Sequence, residues 1–221
     1  MKCYSFYLFL LFAIPSYGQI KKSIFYSPGV VMEEYFVSND DTLKLDGEYK
    51  KYYIDGKVSS QSFYKDAKKE GAQIEYYENG KVKFSGNFKN GIRSGRFEYY
   101  DIKGNLSSIE SYDYAEGGEN GTYKQFFPSQ KLAAEGFLKK GALDSTLTEY
   151  YLSGKIKSKK DFRNGKFEVF SEAGGLLQKG YIKDGELNDT VTSFHAGSNQ
   201  VQRQAFYSLG KLNGTLNEYY A

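Results

Sequence analysis

Residues 71–95 read GAQIEYYENGKVKFSGNFKNGIRSG, and residues 47–71 read GEYKKYYIDGKVSSQSFYKDAKKEG, the two sharing Gly71. Each holds an aromatic pair, a tight-turn dipeptide, an aliphatic, a second aromatic and a second turn. Laid against itself, the chain shows further units beginning at Gly95, Gly121, Ser145, Gly165, Asp189 and Gly214, spaced 20 to 26 residues apart. Self-similarity at this period is the mark of a repeat array. FYSPGVV, from Phe25 to Val31, resembles the middle of a worn first copy, and GTLNEYYA ends the last after one strand.

The two adjacent aromatic positions differ in character. The first holds Tyr52, Tyr76, Tyr100, Phe126, Tyr150, Phe170, Phe194 and Tyr219, a ring in every unit. The second holds Tyr53, Tyr77, Asp101, Phe127, Tyr151, Ser171, His195 and Tyr220. Neighbours on a strand point to opposite sides of a sheet. The first row is therefore expected to face an aromatic core stripe, and the second a permissive surface.

IDGK and ENGK are hairpin signals, because Asp-Gly and Asn-Gly supply the positive φ angles of a type I′ turn. The fourth unit has Gln130 at the glycine position, after Pro128, which predicts a different turn. The second aromatic precedes the next glycine by three residues in Phe88–Gly91 and Phe162–Gly165, and by four in Phe137–Gly141 and Tyr181–Gly185, which predicts bulges at that end. No segment has a useful helical period. The fold class expected is all-β: an elongated array of antiparallel β-hairpins forming an open, twisted, single-layer meander sheet of about sixteen strands, on the order of 70 to 80 Å long.

Composition agrees. The chain has 22 Tyr, 17 Phe and 24 Gly but only 3 Pro and no Trp, which favours half-buried strands joined by tight turns. The formal charge of +3 does not provide the uncompensated cations of a nucleic-acid binder.

Residues 1–18, MKCYSFYLFLLFAIPSYG, have the order of a secretory signal peptide: a lysine, an apolar run too short to span a bilayer, then small residues. Export to the periplasm, cell surface or medium is the expectation. Cys3 is the one cysteine, so the chain after Gly18 has no thiol or disulfide chemistry. Residues 19–46 read as an N-terminal cap or degenerate repeat, and 47–221 as the array of about seven units and a partial last one. An open array leaves strand edges, which invite pairing with a second copy to form a homodimer.

The unit G-x-Φ-x-x-Y-Y-x-x-G-K-Φ, carried by runs such as EYYENGKVKFSGNFKNG, resembles the MORN repeat, in particular its bacterial variant. The resemblance implies a single-layer curved sheet of stacked hairpins with an aromatic-lined groove. It also implies membrane or phospholipid association, or protein assembly. Bacterial chains of this variant are often labelled YwqK-type antitoxins, which implies an antitoxin-like neutralising partner.

Catalytic motifs are absent: there is one histidine, His195, and no nucleophile-elbow, zinc or phosphate-loop pattern. No cofactor and no metal site is expected. Glu48, Glu75 and Glu98 precede the aromatic pairs, and Asp113, Glu116 and Glu119 cluster. A suitably spaced pair of carboxylates could serve glycoside hydrolysis, but their scatter along solvent-facing strands favours charged edge decoration. Two sets are candidates for binding. Tyr53, Tyr77, Phe127, Tyr151 and Tyr220 form an aromatic row able to recognise a partner. Lys155, Lys157, Lys159, Lys160, Arg163 and Lys166 form a basic run able to attract anionic lipid or polysaccharide. The function expected is a non-catalytic exported scaffold binding a protein or cell-envelope component through its sheet surface. Anionic-lipid attachment, an antitoxin-like role and glycan processing are the alternatives.

Overall fold

The computed structural model describes residues 18–113 and 120–220. The leader expected over 1–18 lies, apart from Gly18, outside the described residues, as do Glu116 and Glu119. The described chain is all-β: nineteen strand segments in one sheet, with no helix among the described residues. Strands β1 (Gln19–Ser27), β2 (Val30–Ser38), β3 (Leu45–Tyr52) and β4 (Val58–Lys65) pair antiparallel in chain order. The next unit is β5 (Lys68–Lys69), β6 (Gly71–Tyr76) and β7 (Val82–Lys89), and then come β8 (Ile92–Arg93), β9 (Gly95–Tyr100) and β10 (Leu106–Tyr112). Because β5 and β6 both pair with β4, and β8 and β9 both with β7, each couple is one interrupted strand. The meander continues through β11 (Gly121–Phe126), β12 (Leu132–Lys139), β13 (Ala142–Tyr150), β14 (Ile156–Asp161) and β15 (Lys166–Phe170). It ends with β16 (Leu176–Lys183), β17 (Glu186–Phe194), β18 (Val201–Ser208) and β19 (Lys211–Glu218).

One bulge recurs in every unit. The first-position aromatic pairs with the aliphatic beyond its turn, as Tyr52 with Val58, Tyr76 with Val82, Tyr100 with Leu106 and Tyr150 with Ile156, and the register shifts immediately beside that pair. The turn itself differs from the sequence expectation. Only Gly56, Gly80 and Gly104 have positive φ there, not the residues before them, and the glycine N–H donates to the carbonyl three residues back, as Gly80 to Tyr77 at 2.8 Å. The geometry is that of a type I turn closed by a left-handed residue, whereas type I′ needs two positive φ angles. Gln130 takes the same place with φ 63° and donates to the Phe127 carbonyl at 2.8 Å, so the fourth turn matches the others. The I′ signature lies in the second turns instead: Asp66-Ala67, Asn90-Gly91, Lys140-Gly141, Asp184-Gly185 and Leu209-Gly210 all have both φ angles positive.

Register also sorts the side chains. Phe97 pairs with Glu110, Tyr112 with Gly95 and Tyr99 with Phe84, which defines one face. Glu98, Arg96 and Tyr100 lie on the other. All eight first-position aromatics share this Tyr100 face, so they are sorted as expected, but the buried stripe lies opposite. Val37, Phe97, Tyr112, Ala134, Leu138, Phe167, Val191 and Ala205 are buried on the Phe97 face, and only Ile109 and Thr192 on the other. The reason is position along the strand: a ring beside a turn has neighbours on one side only, whereas mid-strand residues are flanked by pairs on both adjacent strands.

With one layer, a ring can be buried only by its own face. Phe97 is 0% exposed, with Phe84, Phe88 and Tyr112 rings at 5.9, 5.4 and 5.4 Å. It fits because Gly86 stands beside it: a Cβ there would lie 2.3 Å from the Phe97 ring. Gly180 does the same for Phe167 and Val191. At the far strand end, register shifts occur between Gly136 and Phe137 and between Lys179 and Tyr181, as the spacing suggested. The one-residue displacement also sends Phe137 and Tyr181 to the face opposite Phe88, since side-chain direction has period two.

Candidate functional site

The second-position side chains lie on the Phe97 face, and those of Tyr53, Tyr77, Tyr151 and His195 reach forward by one repeat. The hydroxyl of Tyr53 donates to the Tyr76 carbonyl at 2.6 Å, Tyr77 to Tyr100 at 2.8 Å and Tyr151 to Phe170 at 2.7 Å. Tyr26 reaches Tyr52 at 3.0 Å in the same way, and His195 Nε2 lies 3.1 Å from the Tyr219 carbonyl, so that nitrogen carries the proton. Asp101 and Ser171 turn inward and accept from backbone N–H groups of their own turns. Phe127 is half-buried without a hydroxyl, and Tyr220 is 95% exposed. The row thus stitches successive repeats, and only Tyr53 and Tyr77 come together with other candidate groups.

Those groups form two concavities on the Phe97 face, of about 530 and 460 Å³. Tyr49, Tyr53 and Tyr64 line the first, with Ser60, Ser62 and Lys51. Tyr77, Phe84, Phe88, Tyr99 and Arg93 line the second. Lys69, Gln73, Glu75 and Lys83 line both and make a polar ridge between them. Along that ridge Lys69 Nζ donates to Gln73 Oε1 at 2.6 Å, and Gln73 Nε2 donates to Glu75 Oε1 at 3.0 Å.

Cations and rings alternate here. Tyr64 pairs with Lys69, and Phe88 with Arg93. Lys69 lies 4.9 Å from the Phe88 ring centre, and Arg93 lies 5.4 and 5.1 Å from those of Phe97 and Tyr112. Desolvation pulls the Lys69 ammonium below its ordinary range, only partly opposed by Glu75. Glu110 accepts from Tyr99 and Tyr112, each at 2.9 Å, and from Arg93 at 3.1 Å. Burial and this carboxylate raise the Tyr99 phenol, and burial with Glu33 does the same for Tyr49.

On the Tyr100 face the same pairing recurs. Tyr52 bonds Glu34 at 2.8 Å, Tyr100 bonds Glu98 at 2.8 Å and Tyr150 bonds Glu135 at 2.6 Å. Tyr52 and Tyr100 are pushed up to about 12 by burial and then by the carboxylate, and Tyr150 to about 12 by the Glu135 bond first. The carboxylates proposed for hydrolysis are thus engaged: Glu48 accepts from Lys50 and Gln61, Glu75 from Gln73, and Glu98 from Arg96 and Tyr100. Among the described residues no cluster could hold a metal ion.

The basic run divides. Lys159 and Lys166 share the Tyr100 face and line one depression with Lys179. Lys160 is on the opposite face, 3.8 Å from Glu149. Arg163 pairs with Asp144 at 2.8 Å in a loop. Lys155 and Lys157 lie at the turn end, exposed.

Sequence reasoning did not single out Lys69, Gln73, Arg93, Tyr49, Tyr64, Phe84 or Tyr99. One signal was there: Lys69 and Arg93 each stand two residues before a unit-opening glycine, in KKEG and IRSG.

No curated protein matches the chain. Among solved structures, the crystal structure of a GtfA/B complex bound to UDP and GlcNAc matches with 13% identity over 53% of this chain and 21% of that chain. Its TM-score of 0.18 carries no argument about fold or function. The family model of the MORN repeat variant matches residues 45–66, 69–90 and 143–164. Each match covers a stretch of the paired strands and turns described above, and over these three stretches the chain carries the MORN repeat variant.

Proposed function

We propose that this chain is a non-catalytic repeat scaffold that binds a protein or a component of the cell envelope along its sheet. The observation that supports it most is the paired aromatic concavities on the Phe97 face, which no other described element covers. Rings set beside desolvated cations and amides are the composition of recognition surfaces. In this reading residues 1–18 act as an export leader and the scaffold works outside the cytoplasm. Affinity capture from an envelope fraction tests it, using the intact chain and a Phe84→Arg variant that fills the second concavity. A component held by the former and released by the latter, with unfolding temperatures alike, supports the reading; identical captures reject it.

A second reading, attachment to anionic phospholipid, is favoured by Lys155, Lys157, Lys159 and Lys166, which have no carboxylate partner within salt-bridge distance among the described residues. Co-sedimentation with phosphatidylglycerol vesicles should then weaken with salt. It should also weaken when these four are changed to Gln, and no loss discards the reading.

A further inference from the structure

Four cations line the two concavities, Lys51, Lys69, Lys83 and Arg93, against one carboxylate, Glu75. Three of them have carboxylates nearby: Lys51 is 3.2 Å from Glu33, Lys83 is 3.9 Å from Glu75 and Arg93 is 3.1 Å from Glu110. Lys69 has none within 4 Å among the described residues. It stands on the ridge between the concavities, over the Phe88 ring, with its one bond to a neutral amide. A half-buried ammonium that meets its nearest carboxylate, Glu75, only through an amide has room for an anion in direct contact.

Two geometric facts narrow what supplies it. Tyr64 on β4, which pairs with Lys69, and Phe88 on β7, which pairs with Gly71, lie two strand steps apart, ~9.6 Å across the strands, on either side of Lys69. That separation suits alternate sugars of an extended chain laid across the strands. Pyranose rings have apolar faces to rest on aromatics and hydroxyls to meet Gln73 and Glu75. An extended peptide gains less, because backbone N–H and C=O groups within a sheet face are already paired in the ladder. A nucleic-acid strand carries a phosphate at every residue and needs a dense row of cations, whereas here one in four is uncompensated.

We propose that this groove binds a linear acidic oligosaccharide carrying a carboxylate on every second sugar, held by its carboxylate on Lys69 and by its ring faces on Tyr64 and Phe88. The proposal rests on the scaffold reading above and names the partner's chemistry. Lys69 confers preference for the acidic sugar, and the two rings set the direction along the array.

Calorimetric titration of the full chain with hyaluronan octasaccharide, whose sugars alternate uronate and amino sugar, tests this. Neutral chitooctaose, a thymidine octanucleotide and phosphatidylglycerol vesicles are the comparison ligands. Saturable binding of the hyaluronan is expected, with chitooctaose weaker by about tenfold or more, the scale of one charge-assisted contact. Lys69→Met should weaken hyaluronan by a similar factor, Lys69→Arg should restore most of it, and Lys211→Met, at an exposed lysine of β19, should leave it unchanged. Absent binding, equal affinity for chitooctaose, indifference to Lys69→Met, or tighter binding of the oligonucleotide or vesicles overturns the proposal. If Phe84→Arg still abolishes envelope capture while hyaluronan fails to bind, the sugar assignment falls and the scaffold reading stands.

Discussion

The phenolic hydroxyl of Tyr77 donates to the backbone carbonyl of Tyr100, 2.8 Å away and one repeat further along the sheet. Equivalent bonds from Tyr53 and Tyr151 make an interrupted hydroxyl row that ties three of the hairpins to the next. Phe127 occupies the same place without an oxygen, and by the repeat its acceptor is the Tyr150 carbonyl. Phe127→Tyr is therefore expected to stabilise the array by about 1 kcal/mol, and Tyr77→Phe to cost a similar amount. Opposite shifts of the thermal midpoint check this; a Phe127→Tyr variant no more stable than the parent means the row does not extend through the fourth unit.

Burial of Phe97 depends on the absence of a side chain at Gly86. A Cβ there meets three atoms of the Phe97 ring between 2.3 and 2.9 Å, and the ring is hemmed by Phe84, Phe88 and Tyr112. Gly86→Ala should destabilise by about 1 to 3 kcal/mol, the usual scale of overpacking. Urea titration followed by tyrosine fluorescence measures it, and an unchanged midpoint would show that the sheet opens at no cost.

Ala67 holds φ 63° in a two-residue I′ turn where the equivalent units have Gly91, Gly141, Gly185 and Gly210. Its N–H bond to the Leu45 carbonyl needs no side chain. Relief of the left-handed strain, ~1 kcal/mol or more, exceeds the added flexibility of the unfolded chain, so Ala67→Gly should raise the midpoint by a degree or two. A fall in the midpoint contradicts the turn assignment.

Alkali should loosen the Tyr100 face. Tyr52, Tyr100 and Tyr150 are pushed up to about 12 in the folded protein from an ordinary value of 10. The folded state then holds protons that the unfolded state has lost. Their contribution is fully present below pH 10 and disappears as the pH rises towards 12. Phenolate absorbance and the unfolding midpoint, followed together over that window, should move in step, and Glu98→Gln should bring the Tyr100 titration down. Three tyrosines ionising near 10 with no loss of stability would refute the pairing.

Much of this was legible in the chain itself. Repetition of the aromatic pair and of the Gly turns specified hairpins and their order, because strand periodicity and positive φ angles are local demands that a short segment satisfies alone. The same locality explains the common side of Tyr52, Tyr76, Tyr100 and Tyr150. Which of the two turns is I′ was less accessible, since Asp-Gly and Asn-Gly suit either a I′ pair or a type I turn followed by a left-handed residue. Strand register, set beyond the turn by the recurring bulge, made the choice.

Burial and the site belonged to the assembled sheet. The ring beside a turn recurs in every unit yet is only half-covered, whereas Phe97 is covered by residues of neighbouring strands and by the gap at Gly86. Lys69, Gln73 and Phe84 are ordinary in sequence, and only lateral pairing of β4, β6 and β7 puts them on one face. The chain alone determined what each hairpin is, because that depends on contacts a few residues apart; the tertiary structure decided which face is buried and where a ligand can lie, because those depend on side chains brought together across strands.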